Sequence, residues 1–307
     1  MHLKNLYYIF KPVLPRKVQL ALRRTLFKHR LKKYGHVWPI SESAGKKPSN
    51  WQGWPENKQF ALVITHDVET EVGLNKIKQL AEIDLKYGFK SSFNIVPNKY
   101  FVPSEIRSWL ESNGFEVGIH DYNHDGKLYK SKEMFDIRAK AINEYLKEWN
   151  VTGFRSAAMH HNLEWLTELD ISYDCSTFDT DPFEPQPDGV DTIFPFWYKS
   201  EKTGRGFVEI PYTLPQDLTL FVIKQDKDIG VWKEKIKWIA EKGGMATVIV
   251  HPDYINFDKD KKNGIGEYHY EKYVSLLEFL NSEYKNLYWS ALPKKLVSFV
   301  CSVNQFC

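Results

Sequence analysis

His120 and His124 have the spacing of a metal-binding pair, because two imidazoles four residues apart can lie on one side of a turn. The pair follows an apolar run at residues 115–119, which predicts a short buried strand. On its own, such a pair is also typical of an ordinary surface loop. A functional site becomes the stronger hypothesis because polar residues follow apolar runs in the same way elsewhere in the chain.

Three further apolar runs that predict strands end in polar residues. Residues 61–65 are followed by His66, Asp67 and Glu69, residues 152–154 by Arg155, and residues 246–250 by His251. The carboxyl ends of parallel strands lie on one face of an α/β fold, so these side chains should converge although they are far apart in the sequence. Structural interpretations also exist: Asp67 and Glu69 can favour a helix N-terminus, and we expect His66 to be structural rather than a ligand.

These residue types suit hydrolysis assisted by a metal ion. One carboxylate and two imidazoles provide three ligands and leave a coordination position open for water, as a catalytic Zn²⁺ requires. A second carboxylate can act as general base on that water, and Arg155 can keep this carboxylate ionised. His251 can supply a proton to a leaving amine. Asp125 has two interpretations, since it can orient a ligand histidine or begin a turn with Gly126.

Charge and composition narrow the class of protein. The net charge of the 307 residues is +3, but residues 1–41 contain ten Lys or Arg and no acidic residue. The remainder is therefore slightly acidic, which is not typical of a nucleic-acid-binding protein, and we expect no nucleic-acid partner. Aromatic residues make up 15% of the chain, which suits both a large core and the stacking of rings on sugars.

Cysteine usage and the lengths of apolar runs predict localisation. Three cysteines without metal spacing predict no disulfide framework, although Cys301 and Cys307 can pair under oxidising conditions. No apolar run approaches the ~18–20 residues of a membrane span, and the N-terminus lacks the pattern of a secretory signal. We therefore expect a cytoplasmic protein.

Residues 15–34 predict a basic helix with Val18, Leu22 and Leu26 on one face. Two interpretations stay open. The helix can lie on the anionic inner face of a membrane as a peripheral contact, or its apolar face can pack on the rest of the protein while the basic residues face solvent.

Residues 41–58 are rich in Gly, Pro, Ser and Lys, which predicts a linker. Trp51 and Trp54 within it are expected to dock on the body of the protein. The chain then divides into a basic helical extension with its linker, residues 1–58, and one larger domain, residues 59–307.

Predicted strands and helices alternate through this larger domain, which is typical of βα units with a parallel sheet. About seven repetitions in one chain favour closure into a distorted (β/α) barrel of the α/β class. Among the predicted helices are residues 74–87, with Gly88 as C-cap, and residues 131–149, with Ile137, Ala141 and Leu146 facing inward.

The polar segments at these four predicted strand ends resemble motifs of polysaccharide deacetylases with a NodB-homology domain, carbohydrate esterase family 4. The resemblance extends over residues 59–300. THDVE matches the first motif in its Asp-x-Asp branch, which implies that Asp67 is the catalytic base and Glu69 a metal ligand. Glu69 is one methylene longer than the family's aspartate. The second motif implies that His120 and His124 are the other ligands of one divalent ion, for which we expect Zn²⁺.

The remaining motifs imply roles for an arginine, a histidine and an acid. FRSAA matches the third motif, in which Arg155 would steer the base and Ala157 replaces a proline, and IVHPD matches the last, with His251 as general acid. The fourth motif supplies an acid that supports this histidine, and Asp179 or Asp181 is its best match. The residues expected to contact the substrate are Tyr122, Asp179, Asp181 and Trp197.

The resemblance also implies an activity and a partner. The expected activity is metal-dependent removal of an N-acetyl group from a sugar of a polysaccharide or lipid-linked glycan, in the synthesis of surface polysaccharide. The partner would be an N-acetylated glycan. Two alternatives remain: a deformylase or other C–N amide hydrolase with the same residues, and a glycan-binding domain that lacks activity.

Overall fold

The computed structural model describes residues 15–49 and 51–304, and its centre is a curled sheet of nine strands. In chain order these strands are β1 (Phe60–Val68), β2 (Ser92–Ile95), β3 (Glu116–His120), β4 (Gly153–Arg155), β5 (Tyr173–Asp174), β6 (Phe196–Lys199), β7 (Gly206–Glu209), β8 (Met245–Val250) and β11 (Tyr288–Ser290). A separate parallel pair consists of β9 (Ile255–Asn256) and β10 (Tyr268–His269). Among the described strands of the large sheet, β6 runs antiparallel and the others run parallel.

The sheet forms a half-barrel with the strand order β8–β1–β2–β3–β4–β5–β7–β6, and β11 lies beside the first residues of β1. No strand ladder joins β7 to β8 in the described part of the chain. Instead, the amides of Thr213 and Leu214, which follow β7, donate to the carbonyl of Thr247 in β8 at 3.4 and 3.1 Å. The predicted distorted (β/α) barrel is therefore confirmed.

β1 is buried along its whole length and has a paired strand on each of its edges. It pairs with β8 on one edge and with β11 and then β2 on the other. A parallel strand that is covered on both faces is usually a nearly continuous apolar run, and this explains the apolar residues of β1 up to Ile64. The strand thus delivers His66 and Asp67 to the carboxyl end of the sheet without exposing them.

Nine helices surround the sheet in the described residues. They are α1 (Arg16–Tyr34), α2 (Glu71–Leu74), α3 (Ile77–Tyr87), α4 (Ser104–Ser112), α5 (Lys132–Trp149), α6 (Leu163–Leu166), α7 (Gly230–Lys242), α8 (Glu271–Glu283) and α9 (Pro293–Asn304). α3 ends at Gly88, whose φ of +83° is the left-handed conformation that glycine adopts without strain, so the predicted C-cap is confirmed.

The inward face predicted for α5 is partly wrong. Leu146 is buried as expected, but Ile137 is 61% exposed. The helix begins where the side chain of Ser131 accepts a hydrogen bond from the backbone of Met134, and its packing face runs from Phe135 through the residues three and four positions further on. Ile137 lies two positions beyond Phe135 and therefore points away from the sheet.

Of the two interpretations of residues 15–34, the one in which Val18, Leu22 and Leu26 pack on the body is wrong. Leu20 and Phe27 are buried, and the ring of Phe27 packs on Phe183 with ring centroids 4.1 Å apart and on Trp38 with centroids 6.0 Å apart. The predicted face is exposed instead, with Val18 at 42%, Leu22 at 49% and Leu26 at 50%. We call these three exposed residues the outer stripe. The helix thus packs on the body and presents a second apolar face outward.

The predicted docking of both linker tryptophans is confirmed. Trp54 donates a hydrogen bond from its indole nitrogen to the carbonyl of Gly243 at 2.9 Å. The ring of Trp51 packs edge-on against Phe194 at 5.0 Å. The segment is therefore held on the barrel by aromatic contacts rather than suspended in solvent.

Two further expectations concern cysteines and membrane spans. Cys307 lies outside the described residues, so its pairing with Cys301 stays a prediction, while Cys175 is a buried free thiol. In the described ranges, every helix is too short or too polar to cross a bilayer.

Replacing Phe27 with Ala should lower the free energy of unfolding by about 3–5 kcal/mol, because a buried aromatic ring leaves a cavity between α1 and the body. Leu26→Ala, at the neighbouring exposed position, should change it by no more than about 0.5 kcal/mol. Denaturant titration of both variants measures the difference. Equal effects would show that α1 does not pack as described.

Candidate functional site

The strand ends that carry the predicted site residues lie side by side. The register pairs His120 at the end of β3 with Arg155 at the end of β4, and Asp67 near the end of β1 with Asn94 on β2. β8 pairs with β1 up to its last residue, so His251 emerges at the same edge. The structure therefore brings the polar residues that follow β1, β3, β4 and β8 to one face of the half-barrel, as the parallel strands require.

Glu69, His120 and His124 form a group that can hold a metal ion, because one ligand atom of each lies within 4.8 Å of the others. We call these three residues the ligand triad. Oε1 of Glu69 lies 3.3 Å from Nε2 of His124. Nδ1 of His120 lies 3.0 Å from the carbonyl oxygen of Arg155. Since a carbonyl only accepts, this Nδ1 carries the proton and Nε2 of His120 is left free to bind an ion.

The ligand triad fits a divalent ion. Nε2 of His124 is buried and has no hydrogen bond of acceptable geometry to any described residue, although buried polar atoms normally have a partner. The longer side chain of Glu69 still reaches this histidine. A carboxylate with two imidazoles is a donor set that Zn²⁺ and similar ions bind in catalytic sites.

Asp67 is buried beside the triad and is held by two donors. Its Oδ1 accepts hydrogen bonds from Nη1 of Arg155 at 2.8 Å and from the side-chain amide of Asn94 at 2.9 Å. Burial opposes ionisation, but the charge of Arg155, helped by two nearby histidines, holds the pKa of Asp67 below its usual value. Asp67 is therefore a fixed, ionised carboxylate whose Oδ2 remains available.

His251 is oriented by Asp217. Its Nδ1 lies 2.6 Å from Oδ1 of Asp217, whose Oδ2 accepts hydrogen bonds from the backbone of His251 at 2.9 Å and from the hydroxyl of Tyr268 at 2.8 Å. Burial lowers the pKa of His251, but Asp217, with Glu69 and Asp67, raises it to about 10. The imidazole is thus protonated at neutral pH.

Nε2 of His251 faces two carboxylates. It lies 4.0 Å from Oδ2 of Asp67 and 3.8 Å from Oε1 of Glu69. Both separations exceed the length of a hydrogen bond, so Nε2 of His251 bonds to neither carboxylate and its proton remains available to another acceptor. A proton acceptor, a proton donor and the ligand triad therefore lie next to one another.

Asp217 corrects the acid predicted for the fourth motif. Asp179 forms a buried ion pair with Lys235, and Asp181 accepts a hydrogen bond from the hydroxyl of Tyr212 at 2.9 Å, whereas the acid bound to His251 is Asp217. Burial raises the pKa of both acids to about 6. The signal for Asp217 was that it is the one charged residue between Glu209 and Lys224.

The contacts of Trp197 and Tyr122 with a substrate stay predictions. Trp197 lies on β6, the last strand in the sheet order, opposite Val208, and its ring packs over Gly206 at the beginning of β7. The side chain of Trp197 therefore leans away from the carboxyl end of β7. Tyr122 lies in the loop between the two triad histidines, where its ring packs on the guanidinium of Arg138 at 5.7 Å.

Asp253 and Tyr254 support the triad and were missed in the sequence. The hydroxyl of Tyr254 donates to Oε2 of Glu69 at 2.5 Å. Asp253 accepts from the backbone of Glu69 at 3.0 Å and from the hydroxyl of Thr70. Gly73 makes room for this carboxylate, since a Cβ there would lie 2.1 Å from it. Their signal was position alone, because both follow the predicted general acid within three residues.

Two polar residues for which the sequence analysis considered a structural role do have one. His66 is buried between Asp84, 2.9 Å from its Nε2, and the carbonyl of Val250, 3.1 Å from its Nδ1, as expected for a histidine that is not a ligand. Asp125 accepts two hydrogen bonds from Arg138, at 2.7 and 2.8 Å, which anchors the loop that carries His124.

No family model and no curated protein matches the sequence, whereas solved structures match the fold. A probable polysaccharide deacetylase from Pseudomonas aeruginosa PAO1 has a TM-score of 0.63 at 14% identity, over 85% of this chain and 97% of that chain. The Puue allantoinase has a TM-score of 0.63 at 14% identity, over 84% of this chain and 95% of that chain. The chain therefore has the fold of the NodB-homology polysaccharide deacetylases. This confirms, for the fold, the family that the motifs resemble.

Proposed function

We propose that this protein is a hydrolase that uses a divalent metal ion to remove an N-acetyl group from a sugar of a glycan, in the synthesis of surface polysaccharide. The observation that carries the proposal is the placement of an ionised Asp67 and a protonated His251 beside the ligand triad. Amide hydrolysis needs a base for the attacking water and an acid for the leaving amine. A structural neighbour described as a probable polysaccharide deacetylase supports a glycan as the substrate.

Each residue of the site has one task in this reaction. The ligand triad would hold a divalent ion, for which we propose Zn²⁺. The bound ion would act as a Lewis acid in the hydrolysis. Asp67 accepts the proton of the attacking water through Oδ2, because Arg155 occupies Oδ1 and keeps the carboxylate ionised. His251 donates a proton to the sugar nitrogen as the C–N bond breaks, and Asp217 stabilises its charged form. The products are acetate and an amino sugar.

Hydrolysis of another C–N bond is a second candidate, and one observation favours it. The Puue allantoinase matches this chain with the same TM-score as the deacetylase neighbour. The same base, acid and triad would serve either reaction, so a screen of N-acetylated, N-formylated and cyclic amide substrates distinguishes them. A glycan-binding domain without activity would instead show glycan affinity that a chelator leaves unchanged, with no turnover.

Purified wild-type protein should contain about one divalent ion per chain, and His124→Ala and Glu69→Ala should lose it. Acetate release from an N-acetylated glycan should fall on the order of 10³-fold in both variants, because a Lewis acid contributes several kcal/mol to this reaction. Elemental analysis and an acetate assay measure the two effects. His36→Ala, an exposed histidine on the surface, is the control. A wild type that holds no ion and cannot be loaded with one would contradict the proposal.

Asp217→Asn should lower kcat about 10²-fold and move the alkaline limb of the pH profile to lower pH. The carboxylate raises the pKa of His251 to about 10, so its loss leaves the imidazole deprotonated over more of the range above neutrality. Tyr268→Phe removes only a second donor to Asp217 and should shift the limb less. A limb that does not move in Asp217→Asn would show that His251 is not the general acid.

We also propose that the outer stripe of α1 lies on an anionic membrane at its cytoplasmic face. The three residues are four positions apart and form one line on the helix, and the exposed Lys32 and Lys33 lie at its C-terminal end, with Lys33 seven positions beyond Leu26. Apolar side chains flanked by cations match the interface of a bilayer that contains anionic lipid. A lipid-linked glycan would then be within reach of the site.

Leu22→Glu combined with Leu26→Glu should abolish most binding to vesicles that contain anionic lipid, because two carboxylates oppose both insertion and the surface charge. Ile137→Glu, at an exposed apolar residue of α5, is the control and should bind as the wild type does. Co-sedimentation with anionic and with zwitterionic vesicles, at low and high salt, measures the effect. Equal binding of the double variant and the wild type would refute membrane contact through this stripe.

A further inference from the structure

α1 lies across three connections that follow the carboxyl ends of strands. Its contacts are Arg30 with the Pro182 carbonyl after β5 at 3.3 Å, Arg24 with the Val222 carbonyl after β7 at 3.0 Å, and Leu20 beside Gly266 after β8. These connections belong to the face of the half-barrel on which the ligand triad lies. The inner side of α1 therefore borders that face.

Arg23 lies on this inner side of the helix. It is three positions after Leu20 and four positions before Phe27, which are the two buried residues of α1, and residues with these spacings share one side of a helix. It is also about two turns before Arg30, which bonds to the connection after β5. Arg23 is half-buried, whereas the outer stripe is exposed. Its side chain is thus on the side of the barrel and not on the far side of the helix.

Two residues of the rim respond to the charge of Arg23. Burial and Glu69 raise the pKa of Tyr254 far above its usual value, and Arg23 opposes this rise. Tyr254 is the residue whose hydroxyl donates to Glu69 of the ligand triad. Burial and Asp181 raise the pKa of Glu184, and Arg23 opposes that rise as well. The guanidinium is therefore close both to the segment after β8 that supports the triad and to the connection after β5.

Arg23 has no partner of its own among the described residues. It donates no hydrogen bond to any of them and forms no ion pair, unlike the two arginines that hold α1 on the barrel. Oε1 of Glu184 accepts hydrogen bonds from the hydroxyl of Tyr212 at 2.9 Å and from the amide of Gln216 at 2.6 Å. Burial and Asp181 raise the pKa of Glu184 to about 8, so this acid is largely neutral at pH 7 and does not compensate the cation.

A guanidinium in this position fits an anion better than a neutral group. Its planar fork can donate two parallel hydrogen bonds to a carboxylate or a phosphate, and such charge-assisted bonds are about twice as strong as neutral ones. Because Arg23 is half-buried, its charge is screened less than that of a fully exposed cation. A neutral hydroxyl gains little from such a charge, which leaves a carboxylate or a phosphate as the matching group.

We infer that Arg23 binds an anionic group, a carboxylate or a phosphate, of the substrate that is hydrolysed at the ligand triad. Arg23 then determines specificity and takes no part in breaking the C–N bond. This inference rests on the proposed function in placing a substrate at the triad. It adds that the substrate is acidic, either because it contains a uronic acid or because it is joined to a phosphate.

Three N-acetylated disaccharides test the inference. They are a neutral disaccharide of N-acetylglucosamine, the same disaccharide with a phosphate at its reducing end, and a disaccharide of glucuronate and N-acetylglucosamine. In the wild type, kcat/KM for one of the charged sugars should exceed that for the neutral sugar about 10- to 100-fold, the effect of a charge-assisted hydrogen bond. The preference should diminish at high salt. The sugar that is preferred distinguishes a phosphate from a carboxylate.

Arg23→Gln should abolish this preference by lowering kcat/KM for the charged sugar to the value for the neutral one. Arg23→Lys keeps the positive charge but loses the paired hydrogen bonds, so it should retain a part of the preference. Lys28→Gln removes an exposed cation of the same helix and is the matched control, which should retain all of it. An equal loss on charged and neutral sugars in Arg23→Gln would overturn the inference, because it would assign Arg23 a structural role only.

Titration calorimetry of the same three sugars gives a readout that needs no turnover. Tighter binding of a charged sugar that is lost in Arg23→Gln, with no acetate released from any sugar, would keep the anion site and refute the deacetylase. Acetate release with equal kcat/KM and equal affinity for all three sugars would keep the deacetylase and refute the anion site.

Discussion

The buried ion pair between Arg155 and Asp67 is the interaction on which the site depends. Both side chains are shielded from water, where an unpaired charge costs several kcal/mol, so each needs the other. Arg155 also donates to the carbonyl of Cys175 and the hydroxyl of Thr65, and its own carbonyl accepts from Nδ1 of His120. One residue of β4 therefore fixes the carboxylate of Asp67 on β1, orients a triad histidine on β3 and holds the segment after β5. The same contacts that stabilise the sheet set the geometry of the proposed site.

A second buried pair, between His251 and Asp217, has the opposite effect on protonation. The cation beside Asp67 keeps the pKa of this acid low, whereas the anion beside His251 raises the pKa of the imidazole to about 10. When two neighbouring titratable groups have pKa values driven apart by their surroundings, the surroundings assign the base and the acid. Both effects arise from partners inside the protein, so they are screened little by salt. The proposed roles of Asp67 as base and His251 as acid thus rest on the packing of four side chains.

Residues at strand ends could be predicted from the sequence, because every parallel strand runs in the same direction and its last residues have a known place on the sheet. The acid that binds His251 could not be predicted in this way. Asp217 begins a short helical segment, Leu218–Lys224, well beyond the end of β7, and it meets its histidine across 34 positions of sequence. Asp179 and Asp181 lie closer to a strand end and have the same chemistry, yet they are engaged by other residues. Which of three acids reaches one imidazole is a property of long-range packing, which residue spacing does not contain.

The N-terminal helix shows the same limit for packing and for charge. Its sequence has two apolar faces, and helical spacing does not decide between them. Leu20 and Phe27 turn inward because aromatic rings of the body receive Phe27, which leaves the outer stripe exposed. Arg24 and Arg30, which the sequence presents as part of a basic surface, donate instead to backbone carbonyls of the barrel. A guanidinium that donates to a carbonyl of the barrel fixes the rotation of the helix about its axis and directs its charge towards the barrel. The basic residues in 15–41 therefore have two roles: Arg24 and Arg30 set the orientation of α1, and exposed cations such as Lys28 and Lys32 face outward.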